Sequence, residues 1–206
     1  MPSAPFTYED VLAMPEDGRR YELFDGTLIV TPAPARRHQL CVSRLLEILA
    51  PLARAAGCDV LPGPIDVRLA PDRILEPDLI VVTASTSNEQ TIDEVPRLVV
   101  EVASPSTQAI DRDLKRRAYE ERGVPAYWLV DPADPSLTVL ELEAGRYVER
   151  APVIGDAAYE TQLPFAVTRG AGRPRLRPIT EAGVHEARHS WSPWQARPNS
   201  RLGRAS

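Results

Sequence analysis

Asp78 and Glu101 are the side chains whose placement most invites chemistry. Asp78 follows Glu76-Pro77 and opens the apolar run Leu79-Ile80-Val81-Val82, while Glu101 sits inside Leu98-Val99-Val100-Glu101-Val102. Runs of this kind read as central strands covered on both faces, and Pro77 suits the entry to a strand. A carboxylate in such a run is costly unless it is paired, hydrogen-bonded or bound to a metal. If strands 78–82 and 98–102 pair antiparallel, the start of one meets the end of the other, and both acids fall at the same sheet edge. Two adjacent carboxylates repel, and a hard divalent cation such as Mg²⁺ or Mn²⁺ removes that repulsion. A salt bridge from Glu101 to one of the chain's arginines answers the same cost, and the residues alone leave both readings open.

Lys115 is the third candidate. Of 24 basic residues it is the one lysine. A site that needs a compact ammonium aimed at a water or phosphate resists replacement by a planar guanidinium. The plainer alternative is an i,i+4 surface pair with Asp111, worth tenths of a kcal/mol. On a regular helix Lys115 shares a face with Asp111 and Ala118, at the polar end of an inward stripe of Ile110, Leu114 and Ala118.

Other chemistry-bearing residues carry less. His38, just before an apolar helix, reads as a base, a phosphate contact or, more simply, a surface or capping histidine. Cys41 and Cys58 are too few for a disulfide framework or a Cys-rich metal site, and Cys41 reads as a buried inert thiol. Tyr127 and Trp128 read as core aromatics. No phosphate-binding glycine loop and no serine-centred nucleophile elbow occur, which argues against a nucleotide-driven kinase or a serine hydrolase.

The elements that must hold these residues can be read in order. Thr7 caps a short helix to Met14. Tyr21 to Val30 is a hairpin turning at Asp25-Gly26. Arg37 to about Ala56 has helical spacing of Leu45, Leu49 and Leu52, with Pro51 expected to kink or break it. Ile65–Leu69, Asp78–Val82, Leu98–Val102 and Tyr127–Val130 are strands. A helix runs from about Gln108 to Gly123, a natural C-terminal stop. A second hairpin joins Leu137–Leu142 to Arg146–Val148. Strands in the middle with helices on either side give an α/β or mixed α+β layered fold.

Several of these segments together resemble the ordered signature of the bacterial Uma2 family (DUF820). They are Tyr21-Glu22-Leu23-Phe24-Asp25-Gly26, Glu76-Pro77-Asp78-Leu79, Val100 to Thr107, Asp111 to Lys115 and Gly123 to Pro132. The resemblance covers residues 6 to 167. It implies the restriction-endonuclease-like PD-(D/E)XK fold, a mixed central sheet flanked by helices with an N-terminal hairpin. It also implies Mg²⁺- or Mn²⁺-dependent endonuclease activity on nucleic acid, DNA foremost. It further implies Asp78 and Glu101 as metal ligands and Glu22 as an additional catalytic carboxylate. One departure stands out: the wider nuclease motif has lysine two residues after the second carboxylate, where this chain has Ala103. The resemblance suggests that Lys115 supplies the ammonium instead. A nuclease-fold module that binds nucleic acid or protein without cutting is the alternative, favoured by Ala103 and by charge.

That charge is uneven. Residues 168–206 hold eight arginines and two glutamates, a net of +6, against −11 for residues 1–167. An acidic body disfavours phosphate contact except where basic residues cluster locally. The tail, rich in Arg, Pro, Gly and Ser with no apolar stripe, is expected to be disordered, leaving one domain over 1–167. With no secretory signal and no apolar run of about 18 residues, a cytoplasmic protein without membrane contact is expected. Cutting two strands suits a two-fold assembly, so a homodimer is an expectation that no residue carries.

Overall fold

In the computed structural model the described residues are 5–85, 91–104, 110–134 and 136–150, with the backbone of three two-residue strands beyond them. Helix α1 (Tyr8–Leu12) begins at a capping box between Thr7 and Asp10. Strands β1 (Arg20–Phe24) and β2 (Thr27–Thr31) form the expected hairpin. Asp25 and Gly26 both take positive φ, 49° and 73°, as a two-residue turn between twisted strands requires.

Helix α2 (Arg36–Ala55) is continuous through Pro51, so the expected break does not occur. Pro51 lies on the exposed side, where water can take the carbonyl it leaves unbonded. The opposite side buries Cys41, Val42, Leu45, Leu49 and Ala53, and this packing holds both halves in line.

The chain then forms β3 (Cys58–Pro62), β4 (Asp66–Ala70), β5 (Arg73–Leu75), β6 (Leu79–Thr83), β7 (Thr91–Ile92) and β8 (Leu98–Val102). After helix α3 (Arg116–Arg122) come β9 (Ala126–Asp131), β10 (Ser136–Glu143), β11 (Arg146–Glu149) and β12 (Val153–Ile154). The larger sheet runs β11-β10-β9-β8-β6-β3, with β12 against β10. Only its β8–β9 pair is parallel. A second sheet, β2-β1-β5-β4-β7, is built on the N-terminal hairpin. The architecture is thus mixed α+β with two mixed sheets flanked by helices, where the sequence pointed to one central sheet.

Alternation along the central strands divides the core in two. Leu79, Val81, Leu98, Val100, Val102, Ala126 and Trp128 pack with α2. Ile80, Val82, Val99 and Tyr127 pack with Ala118 and Tyr119 of α3 and with Val67, Leu69 and Leu75 of the second sheet. Glu101 shares the parity of Val99, so it belongs to the face shared by α3 and the second sheet.

The helix expected from Gln108 begins its described part as a π-helical segment, Ile110–Lys115, and continues as α3 to Gly123, which takes φ 83° as its C-cap. The wider π turn shifts which side chains face inward. Leu114, expected in the inward stripe, is 37% exposed, and Lys115 is buried in its place. The side chains of Ile110 and Asp111 lie outside the described residues, and so does most of 168–206. Within that tail Arg175–Leu176 forms a two-residue strand against Tyr159–Glu160.

Candidate active site

Strands β6 and β8 pair antiparallel with Leu79 opposite Val100, so Asp78 and Glu101 stand one step further along the same ladder. Both are only 2% exposed. Buried carboxylates at this position need compensating donors, and each has them.

Asp78 receives three. Arg20 Nη1 donates to Oδ1 at 2.6 Å. His38 Nε2, at 3.0 Å, and the main-chain N–H of Val102, at 2.8 Å, share Oδ2. Burial alone would raise the Asp78 pKa, but the His38 hydrogen bond, the Arg20 charge and the Val102 N–H outweigh it and hold it below the usual carboxylate range. Arg20 is held charged in turn: burial opposes its charge, and Asp78, Glu101 and Glu22 more than restore it.

Glu101 Oε1 accepts from Lys115 Nζ at 3.1 Å and from the Tyr119 hydroxyl at 2.9 Å. The same Nζ lies 2.9 Å from Glu22 Oε1, which also accepts the Glu76 N–H at 2.8 Å. Lys115 and Tyr119 sit four residues apart, one helical turn, and reach Glu101 together. Burial, then the Glu101 and Glu22 charges, push the Tyr119 hydroxyl well above its ordinary pKa, so it donates as a neutral phenol.

The four sequence candidates Glu22, Asp78, Glu101 and Lys115 therefore meet in one buried cluster contributed by both sheets and by the helix. Glu22, from β1, bridges to the larger sheet through Lys115. Three further members carried weaker signals. His38 is buried rather than a surface or capping residue. It belongs to the stripe His38, Cys41, Val42, Leu45, Leu49, whose spacing includes it. Arg20 stands two residues before Glu22, hence on the same face of β1. Tyr119 follows from Lys115 once the latter faces inward. Ala103, at the usual lysine position, is buried and apolar.

The donor set suits a hard cation, since it consists of carboxylate oxygens with a formal charge of −1 once Arg20 and Lys115 are counted against Glu22, Asp78 and Glu101. Among the described residues no three His, Cys, Asp or Glu side chains converge as a ready-made cage. Asp78 and Glu101 are the pair that would hold an ion such as Mg²⁺, which takes one or two carboxylates and keeps several waters. Cys41, beneath this cluster on α2, has its thiol pushed up to about 12 by burial and by the Asp78 charge. It reads as inert, as expected.

The mixed α+β core thus carries two carboxylates at adjoining strand ends with a buried lysine beside Glu101. The profile of the Uma2 family, described as "Putative restriction endonuclease", matches residues 8–166, and the chain belongs to that family. A crystal structure of "a putative nuclease belonging to DUF820" from Anabaena variabilis superposes with a TM-score of 0.62 at 17% identity. The match covers 76% of this chain and 89% of that one, and it speaks to fold. An uncharacterized protein, slr1290, of Synechocystis sp. (strain PCC 6803) is 28% identical over 124 residues. That alignment takes in 57% of this chain and 65% of the relative, a little under two thirds of its length. No helix among the described residues is long and apolar enough to cross a membrane.

Proposed function

We propose that this protein is a metal-dependent endonuclease that hydrolyses phosphodiester bonds of nucleic acid, with DNA as substrate, in the cytoplasm. The observation that carries the reading is the burial of three acids at adjoining strand ends, Glu22 and Glu101 on Lys115 and Asp78 on Arg20 and His38. Three acids gathered in an interior are hard to explain as packing, because burial makes each of them costly without a charged partner.

Asp78 and Glu101 would hold one Mg²⁺ or Mn²⁺. When bound, such an ion polarises the scissile phosphate and makes an attacking water more acidic. The chain's own groups prepare that reaction. His38 and the Val102 N–H fix the plane of the Asp78 carboxylate. Glu22 and Glu101 fix the Lys115 ammonium, a preset positive charge that can stabilise negative charge developing on phosphate. The Tyr119 hydroxyl shares Glu101 Oε1 with Lys115 and helps hold it in place. Lys115 thereby takes the role that Ala103 cannot perform. A homodimer would set two such sites on opposite strands.

A non-cutting module is the second reading. The observation that favours it is the full set of protein partners around Asp78, combined with Ala103. Incubation with single- and double-stranded DNA and RNA, with Mg²⁺ or Mn²⁺, separates the two. Cleavage abolished by Asp78→Asn supports the enzyme. Binding without cleavage by a folded, metal-loaded protein supports the module.

A further inference from the structure

The two oxygens of Asp78 are held in different ways, and the difference bears on which of them meets a cation. Oδ2 is held by two rigid donors. One is the Val102 main-chain N–H, which belongs to the sheet. The other is the His38 ring, buried on α2 with Nε2 toward Asp78 and Nδ1 buried without a hydrogen-bond partner. A carboxylate partner requires the proton on Nε2.

Among the described residues Oδ1 is held by Arg20 alone. The Arg20 side chain is 17% exposed, against 4% for Lys115. Lys115 lies between Glu22 and Glu101, whereas Arg20 makes one hydrogen bond among the described contacts, through one of its five N–H groups. Arg20 comes from the start of β1, on a long flexible stem at the rim of the cluster. Of the two cations, it is the one that can leave without opening the core.

We infer that Asp78 Oδ1 is the oxygen offered to the divalent cation, and that Arg20 is a displaceable counter-charge that must yield it. In the metal-free protein the guanidinium neutralises Asp78 and keeps the buried carboxylate tolerable. With a cation held at Oδ1, Arg20 would be released toward solvent at the rim, where its planar fork suits a phosphate oxygen. Arg20 thus competes with the metal, while His38 supports it. The inference rests on the metal site proposed above.

Calorimetric titration of Mn²⁺ into wild type, Arg20→Met and Asp78→Asn tests it. Arg20→Met keeps the apolar stem and frees Oδ1. It should bind Mn²⁺ about tenfold to a hundredfold more tightly, because the cation no longer breaks a charge-assisted hydrogen bond. Asp78→Asn should lose binding. Equal binding by Asp78→Asn and wild type would overturn the metal site itself. Binding lost in Asp78→Asn but unchanged or weaker in Arg20→Met would overturn only the role of Arg20. Should Arg20→Met fail to fold, ¹⁵N spectra of the wild-type arginine side chains decide. Restricted rotation of the Arg20 guanidinium should be released by saturating Mg²⁺, and its persistence would refute displacement.

Discussion

Lys115 Nζ lies 3.1 Å from Glu101 Oε1, with the ammonium and the carboxylate both removed from solvent. A shift of one residue in helical phase would bring Leu114 to the buried position that Lys115 holds. The π turn before α3 therefore selects the cation of the site. Glu22, 2.9 Å away on the second sheet, completes a pairing that no single element contains.

Removing that cation should be costly. Lys115→Ala removes the buried ammonium that Glu22 and Glu101 share, an expected loss of about 3–5 kcal/mol. For a chain of this size the melting temperature should fall by roughly 10 °C. The surface-pair reading of Lys115 requires a change of tenths of a kcal/mol instead, so a thermal melt separates the two. Adding Glu22→Gln and Glu101→Gln to Lys115→Ala should recover much of the lost stability without restoring cleavage.

Lys115→Arg keeps the charge but places a larger planar group where an ammonium fits between two carboxylates. Cleavage should fall by at least about tenfold while nucleic-acid binding persists. Wild-type turnover in this variant would remove Lys115 from the reaction.

His38→Ala should weaken Mn²⁺ binding by about 10–100-fold, the usual consequence of removing a group that orients a metal-ligating carboxylate. His38→Gln, which can still donate to Oδ2, should recover part of that loss. The sign is opposite to that expected of Arg20→Met, although both residues touch the same carboxylate. A pair of calorimetric titrations reads the contrast.

Much of this arrangement was legible in the chain because strand periodicity is local. Leu98–Val102 matches the structure to the residue, and the opposition of Asp78 and Glu101 followed from pairing two apolar runs antiparallel. The helix before Gly123 was legible over its described part from Ile110, but not in phase: a π turn changes rotation without changing composition, so Lys115 looked exposed and Leu114 buried. His38 was hidden by its polarity, although its spacing placed it in the apolar stripe of α2. Arg20 was hidden because an arginine beside a hairpin reads as a surface residue until its partner across 58 residues is known.

Truncation after Val167 should leave the fold in place. The cut removes the Arg175–Leu176 strand that pairs with Tyr159–Glu160, while both large apolar clusters of the described residues lie between Cys41 and Tyr147 and are kept. The melting temperature should change by less than about 2–4 °C, the equivalent of 1 kcal/mol for a domain of this size. A drop beyond about 5 °C would show that the tail docks. If its arginines touch phosphate, truncation should weaken nucleic-acid binding most at low salt.

The thiol of Cys41 offers a pH test of the packing beneath the site. It is 2% exposed, and burial together with the Asp78 charge pushes its pKa up to about 12 from 9.0. The thiolate is the reactive form, so the folded protein should not react at Cys41 with a disulfide reagent at pH 8, while urea-unfolded chain should. A Cys58→Ser background isolates the signal. The same shift fixes the sign of a stability change. Below about pH 9 the thiol is protonated in both states and its contribution is fully present. As pH rises from 9 toward about 12 the unfolded chain releases a proton that the folded chain retains, and stability falls. Cys41→Ala should flatten that decline in urea titrations between pH 8 and pH 10. Rapid labelling of native Cys41 at pH 8 would mean that the α2 face over Asp78 opens far more readily than its burial allows.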